Sequence, residues 1–382
     1  MSWKFDIHKL RLWTKGWYPC RLDRYIISKF LGTYFFAIIL IISIAVVFDY
    51  NENMASFSEH NAPGKAIFHY YLNFIPYYSN LFSALFLFIG VIFFTSKLAD
   101  NSEIIAMLAA GVSMNRIWRD YMVSAAIIAA LNFYLSAEVI PVGSVKRLEF
   151  ENIYKKSKKK QNKTSRDNAQ LMIQPGVVAY IERFDGPSKT GYHFSLDKFK
   201  NKKLVSHLTA QRIIYDSVSD EKYHWHLEGV TMRDLSGMKE NVKSNIAQID
   251  SVLLITPSDL LPTRNMQETM TNSELLDYID RQYARGNMQV QAYQVEYYKR
   301  FANPFASFIL ATIGLSLSSR KRKGGMGLAL GVGLALSATY IMMQTVTATF
   351  ATQAGLMPQI AVWLPNIIYA AIAAYLYTKA PR

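Results

Sequence analysis

The sequence contains a single cysteine, Cys20, in 382 residues. A disulfide within the chain is therefore excluded, and a domain outside the cytoplasm would have to be stabilised by its own core. The sequence also lacks the phosphate-binding pattern G-x-x-x-x-G-K-[ST], the G-x-S-x-G pattern and the H-E-x-x-H pattern. These absences argue against ATP binding by a P-loop and against hydrolase chemistry. We therefore expect no catalytic residues, no cofactor and no metal.

Acidic residues are missing from the middle of the long hydrophobic runs. Runs of about 20 apolar residues predict transmembrane helices. Six occur, at residues 26–48, 74–96, 121–141, 301–318, 326–349 and 360–378. A proton relay through the bilayer needs carboxylates within the spans, so a transporter of this composition must take its energy from elsewhere. Asn132 and Gln344 should face protein rather than lipid, because an amide without a partner in hydrocarbon is costly.

Lysine and arginine are scarce in one set of connections between these spans. Residues 49–72 contain only Lys65, and residues 351–359 contain no charged residue. Basic residues are concentrated before the first span, between the second and third, in SSRKRKGG after the fourth and at the C-terminal end. Because Lys and Arg favour the cytoplasmic side, the sequence predicts cytoplasmic termini and an outer domain between the third and fourth spans.

Much of the net charge of +14 comes from these same basic residues. Much of the excess flanks the spans on one side, so we do not expect nucleic-acid binding. Residues 1–25 carry tryptophans between basic residues, which suits either an interfacial helix on an anionic leaflet or a loosely ordered tail. The first apolar run is long enough to remain as a span, so a cleaved signal peptide is not expected.

Residues 142–298 are more polar and differ in pattern. The Lys-rich stretch 155–168 is expected to be a solvated or disordered connection. Short β-rich segments separated by turn residues follow and predict strands: LMIQ, GVVAYIERF, YHFSLDKF, LVSHLTAQRIIYD, YHWHLEGVTMRDL and NIAQIDSVLLI. Strands without intervening helices indicate an antiparallel sandwich or open roll. Thr271 and Glu274 form a predicted capping box for a helix that ends at Gly286.

Four histidines of this outer region, His193, His207, His224 and His226, raise the question of a metal site. Their spacing matches no ligand pattern of known metal sites. His224 and His226 are two residues apart, which places them on one face of a strand. We therefore interpret these histidines as structural or surface residues.

The stretch SEIIAMLAAGVS, residues 102–113, predicts a short helix between the second and third spans. Ser102 can cap it, Glu103 lies in its first turn, and Gly111 suits its C-terminal end. Ala106, Ala109 and Ala110 would form a flat surface, with Met107 and Leu108 as anchors. Such a helix can dock into the groove of a partner, or it can simply connect two spans.

These segments together resemble a known family. LDRYI at residues 22–26, SEIIAMLAAGVS, VEYYKRFANPF and SSRKRKGGMGLALGVG occur in an order and spacing similar to the LptF/LptG (YjgP/YjgQ) permeases of the lipopolysaccharide exporter. The resemblance covers nearly the whole chain and is weakest in the outer region.

The resemblance implies a subunit without catalytic activity. It implies a paired LptF/LptG paralogue or a homodimer, and two copies of the LptB ATPase driving lipopolysaccharide export. The region 100–118 would contain the coupling helix, with Glu103, Ala106, Met107, Ala110 and Gly111 at the ATPase. Residues 26–141 and 299–382 would be two three-helix halves in the inner membrane. Residues 142–298 would form a periplasmic, jellyroll-like antiparallel β domain that passes lipid to LptC and LptA.

Two pairs of basic residues lie on the predicted outer side, although Lys and Arg generally favour the cytoplasmic side of a membrane protein. Lys146 and Arg147 follow the third span, and Lys299 and Arg300 precede the fourth. They would suit the phosphates of a lipid headgroup, and the resemblance implies basic residues in these regions. Snorkelling or ion pairing with Glu149, Glu151 or Glu296 is the alternative. Some family members have lysines at the outer end of the first span, where this sequence has FDYNEN, residues 48–53.

Small residues at the start of the fifth span form a G-x-x-x-G pattern. Gly327, Gly331 and Gly333 would allow close approach of another helix. The resemblance implies that this span and the first form a lateral gate between subunits, and packing within one half-bundle is the alternative. A permease of another lipid or lipoprotein exporter and a non-transporting receptor or scaffold remain open as functions.

Overall fold

The structure is a computed structural model that describes residues 21–155, 165–216, 223–236, 239–261, 266–286, 290–319 and 325–380. The predicted interfacial segment before residue 21, much of the Lys-rich stretch and the basic residues of SSRKRKGG lie outside these residues. The chain divides into two compact units. The first comprises Met1–Asn51, Tyr71–Ile140 and Tyr298–Arg382, and the second comprises Glu52–Tyr70 and Pro141–Tyr297.

The helices account for most of the first unit and part of the second. In chain order they are α1 (Arg21–Glu59), α2 (Gly64–Leu81), α3 (Ser83–Asp100), α4 (Glu103–Ala109), α5 (Met114–Tyr134), α6 (Ile140–Phe150), α7 (Pro257–Leu260), α8 (Asn272–Ala284), α9 (Gln291–Ser318), α10 (Gly325–Gln353) and α11 (Pro358–Thr378). Wider π-helical turns at Leu135–Val139 and Glu151–Lys155 continue α5 and α6.

Six helical segments among the described residues are long and apolar enough to cross a membrane, which confirms the number of predicted spans. Their bounds differ in two places. The helix of the first span runs to Glu59 rather than ending near residue 48, because no glycine or proline occurs between Gly32 and Pro63 to stop it. The helix of the second span begins at Ser83 rather than residue 74, after an irregular residue, Phe82, that separates it from α2.

The core of the first unit is built around α3. Two thirds of its most apolar window is buried, 67%, against 17% for the corresponding windows of α1 and α10. Helices α9 and α10 approach α3 at glycines: a Cβ on Gly314 would lie 2.6 Å from Val91, and a Cβ on Gly333 would overlap Ile92. These contacts make the second predicted span the central helix of the first unit.

The two amides predicted to face protein do so. The Asn132 amide donates a hydrogen bond of 2.6 Å to the Ser83 hydroxyl, which also pairs with the Tyr34 hydroxyl at 2.7 Å. The Gln344 amide donates to Asn303 at 3.0 Å and to the Tyr340 hydroxyl at 2.9 Å. Both predictions are confirmed, and each amide has the partner that hydrocarbon could not supply.

The second unit contains an antiparallel sheet whose six strands pair in chain order. They are β1 (Ser165–Gln174), β2 (Val177–Asp185), β3 (Thr190–Lys200), β4 (Lys203–Tyr215), β5 (His224–Ser236) and β6 (Lys239–Val252). Each strand overlaps one of the six predicted β segments, and the last predicted segment, NIAQIDSVLLI, extends three residues past the end of β6 at Val252. The prediction of an antiparallel β domain between the third and fourth spans is confirmed.

The sheet has one buried face, formed by alternate residues of successive strands. Register shifts interrupt the pairing between Met172 and Gln174, between Lys198 and Phe199 and between Val230 and Met232, and such bulges bend and twist a sheet. The six strands form a meander, without the crossed connections of a Greek key among the described strands. The buried residues include Ala179, Ile181, Phe194, Leu196, Leu208, Ala210, Trp225 and Leu227.

Two local predictions in this unit have different outcomes. The expectation of a solvated connection over residues 155–168 is wrong at its C-terminal end, because β1 already begins at Ser165 and pairs with Asp185. The capping box is confirmed: Thr271 and Glu274 cap α8, and Gly286 follows its end with a φ of 81°.

Candidate functional site

The predicted short helix between the second and third spans is α4, seven residues long. Its N-terminal end differs from the prediction. Ser102 has a left-handed backbone with a φ of 63°, and its side chain makes no capping hydrogen bond. The expectation that Ser102 caps the helix is therefore wrong, since a capping serine needs an extended backbone to direct its hydroxyl at the helix.

The C-terminal end of α4 follows the prediction for Gly111. Its φ is 84°, and the backbone N–H groups of Gly111 and Val112 donate to the carbonyls of Leu108 and Met107, both at 3.0 Å. This pair of bonds is a Schellman motif, which needs a residue that tolerates positive φ. Gly111 therefore ends the helix and turns the chain toward α5.

The two faces of α4 have different environments. Ile104 is buried, and Met107 and Leu108 are half-buried against the core of the first unit. Ile105, which is 56% exposed, shares the outer face with Ala106, Ala109 and Ala110. Met107 and Leu108, which were expected to anchor a partner, thus pack in part on their own subunit, and their contact with a partner stays a prediction. We define the outer face as Ile105, Ala106, Ala109 and Ala110.

Glu103 begins α4 beside the outer face and is held by two hydrogen bonds. The Tyr25 hydroxyl of α1 donates to one carboxylate oxygen at 3.1 Å, and the Asn101 amide donates to the other at 3.1 Å. The carboxylate remains partly exposed. Glu103 thus keeps its charge accessible while a contact from the first span fixes its position.

A second contact joins α1 to the start of α5, directly after α4. The guanidinium of Arg116 donates two hydrogen bonds to the Asp23 carboxylate, at 3.1 and 3.2 Å, and Arg119 lies 3.6 Å from the same carboxylate. Asp23 is buried at 3% exposure, so its charge depends on these partners. No local sequence pattern indicates this network, because Arg116 lies 93 positions from Asp23.

The first predicted basic pair, in the second unit, contains one ion-paired residue and one exposed residue. Arg147 is buried at 4% exposure, and its guanidinium lies 3.6 Å from Glu151 and 3.2 Å from Glu268. Because two carboxylates already neutralise it, the structure supports the ion-pair alternative for Arg147 over a role at a headgroup. Lys146 is exposed.

The second basic pair lies in the first unit, at the start of the fourth span. Lys299 is half-buried, whereas Arg300 is buried at 3% exposure. In the FDYNEN stretch of α1, Asp49 accepts a hydrogen bond of 2.9 Å from the Tyr71 hydroxyl. The negative charge at this position is therefore part of a local contact between α1 and α2.

The three glycines of α10 do not share one environment. A Cβ on Gly327 or Gly331 would meet no atom within 4 Å in the described part of the chain, whereas a Cβ on Gly333 would overlap Ile92 of α3. Gly333 therefore packs on the other three-helix half of the same chain, so the alternative of packing within one half-bundle does not describe this contact. Gly327 and Gly331 leave an open small-residue face on α10.

The outer-region histidines each lie beside a carboxylate. His193 pairs with Glu182 at 2.9 Å and His207 with Asp197 at 2.5 Å. His224 and His226 share one face of β5, as expected, but the end of β4 brings a further carboxylate, Asp216, to them. The sequence pattern did not show this cluster, because strand register determines it.

These features define a polytopic membrane protein with an inserted antiparallel β domain and a short helix, exposed on one face, between two spans. The sequence pattern of the family described as "Lipopolysaccharide export system permease LptF/LptG" matches residues 24–379. The chain belongs to this family. A comparison with curated proteins found no match.

Proposed function

We propose that the chain is the membrane subunit of an ABC transporter that extracts lipopolysaccharide from the inner membrane. A separate LptB-like ATPase dimer supplies the energy, and an LptF/LptG paralogue or a second copy of the chain completes the membrane part. The termini are cytoplasmic and the β domain is periplasmic. The family supports a lipopolysaccharide-export role, and the charge distribution between the spans supports the orientation.

The outer face of α4 carries the proposal of ATPase docking. A short helix held by Ile104, Met107 and Leu108 on one side leaves small and apolar residues exposed on the other. Small residues allow close approach of a partner groove, and Ile105 supplies an apolar anchor. Burying an isoleucine contributes about 1.5–3 kcal/mol, which corresponds to roughly a 10- to 100-fold change in affinity.

The test of docking is Ile105→Asp in the full-length chain, coexpressed with the paralogue and the ATPase. We expect the ATPase to be lost from the purified complex while the membrane subunits remain paired. Val205→Asp is the control, because Val205 is another exposed β-branched residue, in β4 of the second unit. ATPase recovery unchanged by Ile105→Asp would contradict docking on this face.

The role of Glu103 is tested by separating its charge from its position. Glu103→Lys reverses the charge and should block both ATPase binding and lipid release. Tyr25→Phe removes the hydrogen bond from α1 but keeps the carboxylate, so its effect should be smaller. Lipid release and assembly like those of the wild type in Glu103→Lys would count against coupling through this residue.

The lipid headgroup would be bound by the accessible lysines rather than by Arg147. Lys146 is exposed and Lys299 half-buried, and an ammonium can pair with a phosphate oxygen. Neutralising Lys299 together with Arg300 should weaken photo-crosslinking of lipopolysaccharide while ATPase assembly persists. Lys65→Gln, at another exposed lysine, is the control, and crosslinking unaltered by the double change would remove the second pair from the headgroup site.

Transfer of lipid to an LptC- and LptA-like periplasmic bridge would use an edge of the β domain. Within the described sheet, β1 and β6 are the edges, and β6 is exposed along most of its length. An exposed edge can pair with a strand of another protein. Mass spectrometry of the intact detergent-extracted complex would show these partners and the bound lipid together; a lipid without a glucosamine disaccharide would favour another exporter class.

A further inference from the structure

A cluster of two histidines and two carboxylates lies at one end of the sheet. Asp216 directly follows β4, and its backbone N–H donates to the His224 carbonyl at 3.0 Å. His224 and His226 project from the same face of β5, with ring centroids 5.5 Å apart. One potential ligand atom from each of Asp216, His224 and His226 lies within 4.8 Å of the other two. Three potential metal ligands thus lie close together.

The fourth member, Asp250, orients His226. The two residues are paired in the register of β5 and β6, and His226 Nδ1 lies 2.6 Å from an Asp250 oxygen. The other ring nitrogen, Nε2, lies 3.6 Å from Asp216. With the proton on Nδ1 and donated to Asp250, Nε2 presents its lone pair toward Asp216 and His224. A carboxylate that orients a histidine in this way is the usual support of a metal-binding imidazole.

His224 supplies an independent observation. Its Nδ1 is buried and has no hydrogen-bond partner among the described residues. Buried polar nitrogens are normally satisfied by protein, water or an ion. The Nδ1 atom of His224 therefore lacks the partner that a buried nitrogen normally has, as is expected of a group that binds a ligand from outside the chain.

We propose that Asp216, His224 and His226 bind one divalent transition-metal ion of the zinc class, with Asp250 positioning His226. Two imidazole nitrogens and a carboxylate oxygen suit a borderline-soft ion, whereas Mg²⁺ and Ca²⁺ prefer oxygen-only sites. The ion would join the end of β4 to β5 and, through Asp250, to β6. Trp225, between the two histidines in the sequence, is fully buried in the domain core. Because the bound ion would hold both neighbours of Trp225, it would stabilise this end of the sheet.

The same sheet provides matched controls. His207 pairs with Asp197 at 2.5 Å, and His193 pairs with Glu182 at 2.9 Å. Each of these pairs has the histidine–carboxylate contact of the cluster, but neither belongs to a group of three convergent ligands among the described residues. If the cluster were a simple ion pair, substituting its histidines would affect Zn²⁺ binding no more than substituting these controls. If it is a metal site, only the cluster substitutions would weaken Zn²⁺ binding.

The test uses the full-length protein in detergent, purified without a polyhistidine tag and stripped with EDTA. Zn²⁺ is titrated by calorimetry in competition with a chelator of known affinity. We expect one strong site per chain with a dissociation constant of about 1 µM or below. His226→Gln and His224→Gln should each weaken binding at least about tenfold, as should Asp250→Asn, because supporting residues typically contribute roughly 10- to 100-fold.

The control is His207→Gln, which should retain the wild-type affinity. Zn²⁺ should also raise the thermal midpoint of the wild type and of the control, but not of the cluster variants, because a ligand that binds only the folded state stabilises it. The absence of a one-to-one site, or an equal loss of affinity in His207→Gln, would overturn the proposal.

A measurement on the wild type alone covers the case in which the cluster variants fail to fold. Cu²⁺ bound at one equivalent should show nitrogen hyperfine coupling from two imidazoles in its electron paramagnetic resonance spectrum. A spectrum without coupling from two nitrogens would show that the two histidines do not bind the ion together, and would also overturn the proposal.

Discussion

Two glycines in the same helix should respond in opposite ways to the same substitution. Gly333 of α10 faces Ile92 of α3, where an added Cβ would overlap the end of the isoleucine side chain. Gly331, two residues earlier, has no atom of another element within 4 Å of an added Cβ. We therefore expect Gly333→Ala to strain the helix contact and Gly331→Ala to leave it intact.

The size of the difference follows from two effects. Replacing glycine with alanine within a helix is favourable by about 0.8–1.0 kcal/mol, and this gain applies to both variants. Overfilling a well-packed contact typically costs about 1–3 kcal/mol, and this cost applies only to Gly333→Ala. The variants should therefore differ by about 1–3 kcal/mol, with Gly331→Ala the more stable.

Thermal unfolding of the full-length chain in one detergent, at one heating rate, measures this difference. Gly331→Ala should melt at or above the wild type, and Gly333→Ala should melt a few degrees below Gly331→Ala. Ile92→Val removes the terminal methyl that would be overlapped, so it should rescue Gly333→Ala in a double-variant cycle. Equal midpoints for the two alanine variants, or no rescue, would refute close packing of α10 on α3 at Gly333.

Three further outcomes are expected. Asp23→Ala should destabilise the chain by about 1–3 kcal/mol in denaturant unfolding, because it leaves Arg116 without its buried carboxylate. Gly111→Ala should cost about 1 kcal/mol, because its φ of 84° strains a residue with a Cβ. The Asp250 hydrogen bond raises the pKa of His226 above 6.5, and His226 in turn lowers the pKa of Asp250 below 3.8. In EDTA, the stability difference between wild type and His226→Gln should therefore be largest at about pH 5–6 and shrink both toward alkaline pH and toward strong acid.

The elements that sequence could predict are those with a long or strictly periodic signal. Six apolar runs gave six spanning helices, and alternation between turns gave each strand of the sheet. The errors lie at the ends of these elements. Residues 49–59 are helical because a polar sequence without glycine or proline can continue a helix as well as a loop.

The faces of α4 were not predictable from its own seven residues. Met107 and Ile105 are equally apolar, and the direction in which each one points depends on how α4 packs on the rest of the first unit. The same holds for Arg147, whose partner Glu268 lies 121 residues away. Likewise, Asp216 and Asp250 join the histidines of β5 only through strand register. These sites are formed by contacts between residues far apart in the sequence, and a local sequence pattern cannot predict such contacts.

The open glycines of α10 bear on the proposed pairing with a second membrane subunit. The most apolar windows of α1 and α10 are the least buried of the six, at 17% each, but lipid chains cover exposed Phe or Leu side chains as well as a protein would. Glycine is different, because it gives lipid little surface to contact and instead lets a helix backbone approach closely. At Gly327 and Gly331 an added Cβ would meet no atom of the described residues within 4 Å, so these glycines favour a helix over lipid as the neighbour of α10. Gly331→Leu should accordingly weaken pairing of the two membrane subunits while leaving the isolated chain as stable as the wild type. If the Gly331→Leu variant pairs as strongly as the wild type, the face of α10 that carries Gly327 and Gly331 contacts lipid instead.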